Sequence, residues 1–73
     1  MPDTVQGCKK RFEYSGGKLL YEGTAQPGKA TSEAEWQIKK YEYSGDDLTE
    51  INFADGTAAF TKIWDNRASY SYS

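Results

Sequence analysis

Lys10-Arg11-Phe12-Glu13-Tyr14-Ser15-Gly16 and Lys39-Lys40-Tyr41-Glu42-Tyr43-Ser44-Gly45 are two copies of one pattern. They lie 29 residues apart, and Leu19 and Leu48 extend the match at the same offset. In each copy aromatic and charged residues alternate, reach a Ser-Gly turn, and then the alternation resumes. Period-two alternation bounded by turn residues reads as strand, turn, strand. The chain is therefore read as two β-hairpins related by an internal repeat.

The first hairpin pairs about Lys10–Ser15 with Lys18–Thr24 across Gly16-Gly17, whose glycines supply the positive φ of a two-residue turn. Phe12 and Tyr14 are expected on one face, and Leu19 and Tyr21 together on one face of the partner strand. Residues 25–33 read as a connecting loop, because Pro27-Gly28 is a turn signal that excludes a central strand. Ser32 and Glu35 resemble a capping box, which allows one helical turn over 32–35. The second hairpin starts near Ala34 or Glu35. Trp36 and Ile38 alternate in one phase and Tyr41 and Tyr43 in the other, with the change at Lys39-Lys40. A β-bulge there is the favoured reading; the alternative is a strand with both faces partly covered.

Gly45-Asp46-Asp47 makes the next turn and Leu48–Ala54 returns. Asp55-Gly56 predicts a type I′ turn into a strand over Thr57–Ile63 that carries Phe60. Trp64–Arg67 reads as a polar bend with one large anchor. Ala68–Tyr72 reads as a last strand with Tyr70 and Tyr72 alternating against serines. The expected fold is all-β: a small antiparallel meander of about six strands, forming a sandwich or partial barrel. It occupies residues 10–73 as one domain behind an N-terminal arm, 1–9. Phe12, Tyr14, Trp36, Ile38, Ile51, Phe53 and Phe60 are in phase for its core.

Composition supports order of an unusual kind. Val, Leu, Ile and Phe number only ten of 73 residues, a shortage that with high net charge would signal disorder. The net charge is only −2, and eleven aromatic side chains replace the missing aliphatics. A single cysteine rules out an internal disulfide. No stretch approaches the roughly 20 apolar residues of a membrane helix, so no membrane insertion is expected, and the N-terminus shows no signal-peptide pattern.

The chemistry available is narrow. The chain has no histidine, which removes Ser-His-Asp and Cys-His nucleophile arrangements and the commonest metal ligand. Cys8 stands alone near the N-terminus and reads as an incidental thiol. Asp46, Asp47, Asp55 and Asp65 fall in turns at different ends of their strands and are explained by turn chemistry. Lys9-Lys10-Arg11 and Lys39-Lys40 are read as charges on solvated strand faces, since nucleic-acid binding favours a basic groove that an acidic chain lacks. No catalytic, metal or cofactor site is expected, and no nucleic-acid partner.

One resemblance covers the chain from Phe12 onward. The ordered set Phe12-Glu13-Tyr14-Ser15-Gly16, Tyr21-Glu22-Gly23-Thr24-Ala25-Gln26-Pro27-Gly28, Trp36-Gln37-Ile38-Lys39, Ala54-Asp55-Gly56 and Trp64-Asp65-Asn66-Arg67-Ala68-Ser69-Tyr70-Ser71-Tyr72 resembles a family of small uncharacterised proteins of tailed bacteriophages. The resemblance implies a particle protein of the tail, neck or fibre region, located in the virion or in the host cytoplasm during assembly. It carries no catalytic or binding residues to transfer, and residues 1–11 fall outside it. The expected function is a non-enzymatic structural or adaptor module whose partners are other virion proteins or further copies of itself. Trp64, Arg67, Tyr70 and Tyr72 are the candidate interface residues, because aromatic residues and Arg are enriched in binding hot spots. The opposing reading makes Trp64 a core plug and pairs Arg67 with Asp65 or backbone. The alternative function is a small binding module for a host glycan or host protein, using exposed Tyr or Trp.

Overall fold

A computed structural model describes residues 8–73. The arm expected over 1–9 lies outside these residues except for Cys8, which is exposed, and Lys9, which already belongs to the first strand. Four strands follow one another in a meander: β1 (Lys9–Ser15), β2 (Lys18–Ala25), β3 (Ala34–Ser44) and β4 (Asp47–Phe53). All pairings are antiparallel. A two-residue strand, β5 (Lys62–Ile63), pairs with the start of β3 beyond the end of β4. A 3-10 helix then runs from Trp64 to Ser69.

The internal repeat is visible in the backbone. In the first hairpin Glu13 faces Tyr21 but Tyr14 faces Leu19, which leaves Leu20 as an extra residue. In the second, Glu42 faces Glu50 but Tyr43 faces Leu48, which leaves Thr49 as the extra residue. Leu20 and Thr49 are 29 positions apart, so the β-bulges obey the same offset as the sequence. The turns match at their first position only, since Asp46, the counterpart of Gly17, does not have positive φ. Gly16 and Gly17 both have positive φ, at 60° and 83°, and Gly45 has φ 61°.

These bulges correct two expectations. The irregularity of the second hairpin sits on β4 and not at Lys39-Lys40, so β3 keeps strict alternation through Lys39 and Lys40, and its two phases face opposite sides of the sheet. Both faces of β3 are accordingly covered in part, the other alternative. In the first hairpin the bulge at Leu20 puts Leu19 on the side of Tyr14 and Tyr21 on the opposite side, so Leu19 and Tyr21 do not share a face.

The sheet stays open and does not close into a barrel. Its second layer is the chain after β4, folded across one face. The core there consists of Tyr21, Ala25, Trp36, Ile38, Ala54 and Trp64, with Leu20, Tyr70 and Tyr72 packed against it. Trp36 and Ile38 are wholly buried. The rings of Trp36 and Trp64 lie 5.9 Å apart and those of Tyr21 and Tyr72 5.6 Å apart, both tilted, which suits the ring quadrupoles. Gly23 lies beneath the tryptophans: a Cβ there would sit 2.5 Å from Cε3 of Trp64 and 3.0 Å from Cε3 of Trp36. The absence of a side chain is what lets two indoles settle onto β2.

Beyond β4 the expected strands differ. Asp55 and Gly56 do adopt positive φ, at 53° and 68°, as a type I′ turn requires. No hairpin follows, because 57–61 form no strand and only Lys62–Ile63 pair, with β3. Phe60 is 46% exposed and takes no part in the core. Ala68–Tyr72 is the end of the 3-10 helix plus an extended tail, in which Tyr72 forms a bridge to Ala54. In the β2–β3 loop it is Glu33 and not Glu35 that closes the turn, accepting a bond of 2.7 Å from the Ala30 amide. Glu35 lies in β3. The Trp36 indole N–H donates to the Ala30 carbonyl at 3.0 Å and ties this loop to the core.

Candidate interaction surface

The other face of the sheet has no covering layer among the described residues. Register and alternation place Phe12 and Tyr14 of β1, Leu19 of β2, Tyr41 and Tyr43 of β3, and Leu48, Ile51 and Phe53 of β4 on it. Five large apolar side chains are exposed in the described structure, and four belong to this face: Phe12 (49%), Tyr14 (62%), Leu48 (48%) and Ile51 (43%). All four sit on the two outer strands. Scattered exposed apolar residues are ordinary; here they are concentrated as two pairs along the two outer strands of one uncovered face.

The middle of this face is polar and closed on itself. Glu22 of β2 is 8% exposed. Its carboxylate accepts from Lys10 Nζ at 3.1 Å and from the Tyr41 hydroxyl, and Lys39 Nζ lies 4.0 Å away. Lys10 also donates to Thr24 Oγ1 at 3.0 Å. Burial alone would raise the Glu22 pKa, but the Tyr41 and Lys10 hydrogen bonds and the charges of Lys39 and Lys10 outweigh it and hold the carboxyl below its usual value. Burial, then the bond and charge of Glu22, push Tyr41 up to about 12. Held by Lys10, Tyr41 and Lys39, the Glu22 carboxylate fastens β1, β2 and β3 together. Lys39 also lies over the Phe53 ring, 5.8 Å from its centre, and Lys18 over that of Tyr43 at 5.6 Å.

The residues singled out from sequence lie on the covered face. Trp64 is 3% exposed and plugs the core. Arg67 stacks on the Trp64 indole at 4.7 Å, donates through Nη1 to the Trp64 carbonyl at 3.1 Å, and donates through Nε to Glu13 of β1 at 2.6 Å. Its carboxylate partner is thus Glu13 and not Asp65. The Tyr70 hydroxyl accepts from the Ile63 amide at 2.9 Å, and the Tyr72 hydroxyl donates to the Arg67 carbonyl at 2.6 Å. Burial, followed by the neighbouring Tyr21 and Tyr70, pushes the Tyr72 pKa well up. These four side chains fasten the C-terminal segment to the sheet. What sequence reasoning missed is the exposed set on β1 and β4. The signal is in the sequence, since Phe12 and Tyr14 alternate in phase on β1 and Ile51 and Phe53 on β4, but alternation alone reads such a phase as core.

Among the described residues no three acidic or cysteine side chains converge, and the surface has no cavity. Asp46 pairs with Lys18 at 3.0 Å and Asp55 with Lys62 at 2.9 Å. No helix among these residues is long and apolar enough to cross a membrane. The chain matches no protein-family model, no curated protein and no solved structure.

Proposed function

We propose that this chain is a non-enzymatic docking module, a structural or adaptor component of a phage particle in the tail, neck or fibre region. The observation that carries the docking role is the exposure of Phe12, Tyr14, Leu48 and Ile51 together on the uncovered face. An uncovered face that carries exposed apolar side chains along both outer strands offers the kind of surface that permanent assemblies bury. The ordered motifs from Phe12 to Tyr72 supply the phage context. The test is mass spectrometry of purified virions from a phage that encodes the chain. Stoichiometric recovery is expected, and absence from the particle overturns the proposal.

A second reading, a binding module for a host glycan or host protein, draws on the exposed rings of Phe12 and Tyr14, which stand side by side on β1. It predicts glycan-array or host-lysate binding that Tyr14→Ala and Phe12→Ala abolish while the fold persists.

A further inference from the structure

The two free edges of the sheet differ in charge. β1 carries Lys9, Lys10 and Arg11 against one acid, Glu13; β4 carries Asp47 and Glu50 and no base. The repeat relates these edges to a junction already present inside the chain. β1 is the repeat counterpart of β3, and β4 that of β2, so β2 pairing with β3 is the internal version of β4 pairing with another copy's β1.

We propose that copies of this chain add head to tail, the outer edge of β4 in one copy pairing antiparallel with the outer edge of β1 in the next, in the register that β2 and β3 use. This deepens the docking role above and names the partner as the chain itself. Inside the chain Tyr21 faces Lys40, Glu22 faces Lys39 and Gly23 faces Ile38. Moving each by the 29-residue offset sets Glu50 against Arg11, Ile51 against Lys10 and Asn52 against Lys9 of the neighbouring copy.

Four observations fit this register. Glu50 lies directly opposite Glu42 within its own sheet; Glu42 has Lys40 at 3.7 Å, whereas Glu50 has only the neutral Asn52 amide at 3.0 Å, and an Arg11 from the next copy would give it a cation. The cross-strand contact of Tyr41 with Glu22 maps to Phe12 against Ile51, two of the exposed apolar side chains. The Tyr43 hydroxyl donates to the Leu19 carbonyl at 2.8 Å, and its counterpart is Tyr14 reaching Leu48, the other two. Backbone polarity agrees as well. Phe53 exchanges hydrogen bonds with Ser73 on the outer side of β4. By alternation the Ile51 amide and carbonyl also point outward, free to pair. The tail bounds the available edge at Asn52. Strand addition of this kind joins unlike edges, so each copy added leaves one fresh edge of each sort and growth does not stop at two.

The experiment is analytical ultracentrifugation of the full chain over a range of concentrations, at low and high salt. The expected result is a mean mass that climbs past the dimer with concentration and falls with salt. Arg11→Glu and Glu50→Arg should each weaken association on the order of tenfold or more, by setting like charges opposite one another. Both positions are exposed, and circular dichroism checks that each variant stays folded. An equimolar mixture of the two variants should associate again, because each then presents the charge the other needs. A mass that stays monomeric, association that neither reversal alters, or a mixture that remains dissociated overturns the proposal. A chain that is strictly monomeric in solution yet present in virions would remove the self-pairing and leave the docking role standing. Self-association with no chain in virions would do the reverse.

Discussion

The two faces of one sheet are built from the same strands and have opposite fates. On one side Trp36, Ile38, Tyr21 and Trp64 form a closed core under the C-terminal segment. On the other, Phe12, Tyr14, Leu48 and Ile51 stand in solvent around a sealed polar cluster at Glu22. Both faces are rich in aromatics, so hydropathy does not separate them. What separates them is the reach of the segment after β4: Trp64, Tyr70 and Tyr72 lie against one side only. A small domain that buries a modest fraction of its surface can hold one core, and the second apolar face is left for contact.

That contrast can be broken most sharply at its centre. Trp36→Ala removes a wholly buried indole and should cost about 3–5 kcal/mol, enough to unfold a domain of this size, as read by urea denaturation. Gly23→Ala drives a methyl into the Trp64 ring and should cost about 1–3 kcal/mol, with loss of the near-ultraviolet tryptophan signal. A Gly23→Ala variant of unchanged stability would mean that the tail does not clamp this face.

The polar cluster of the open face gives intermediate effects. Tyr41→Phe should cost about 1–2 kcal/mol, the worth of a half-buried hydrogen bond to a carboxylate. It also has a pH signature. The Glu22 carboxyl is held below its unfolded value, so its contribution is full above pH about 4.5 and is lost as pH falls through the lower folded value. Tyr41 is raised from 10.0 to about 12, so its contribution is full below pH 10 and lost as pH climbs through about 12. Stability measured against pH should fall at both ends, and Glu22→Gln should flatten the acid limb while Tyr41→Phe flattens the alkaline one. The smallest change should come from Phe12→Ser with Ile51→Ser. Each should move the stability of the isolated chain by no more than about 0.5 kcal/mol, since neither ring nor alkyl group is enclosed. A loss of 2 kcal/mol or more would show that the open face is part of the monomer core after all.

The hairpins were legible because their signals are local. Gly16-Gly17 and the aromatic-charged alternation specify a turn and a period, and the strands at Lys9–Ser15, Lys18–Ala25 and Ala34–Ser44 lie within a residue or two of the reading. Asp55-Gly56 also kept its turn geometry, yet the strand expected after it is absent. A turn dipeptide sets two φ angles and says nothing about whether a free edge waits beyond it. At the end of β4 that place is taken by the tail, where Ser73 bonds Phe53 and Ser71 bonds Asp55 just beyond the strand, while the edge before Phe53 stays open. The candidate site was the least legible part. Trp64, Arg67, Tyr70 and Tyr72 have the composition of a contact surface, and the same large amphipathic side chains serve equally well to clamp a tail.

Sequence alone determined the repeat, the antiparallel meander and the two turns that close its hairpins, because each depends on neighbours a few residues apart. Tertiary structure decided which face is the core. A one-residue bulge at Leu20 puts Leu19 and Tyr21 on opposite faces, its counterpart at Thr49 does the same for Leu48 and Glu50, and the tail selects the side it covers. Those choices rest on packing between segments up to 54 residues apart, as in the Glu13–Arg67 bond, and no local pattern encodes them.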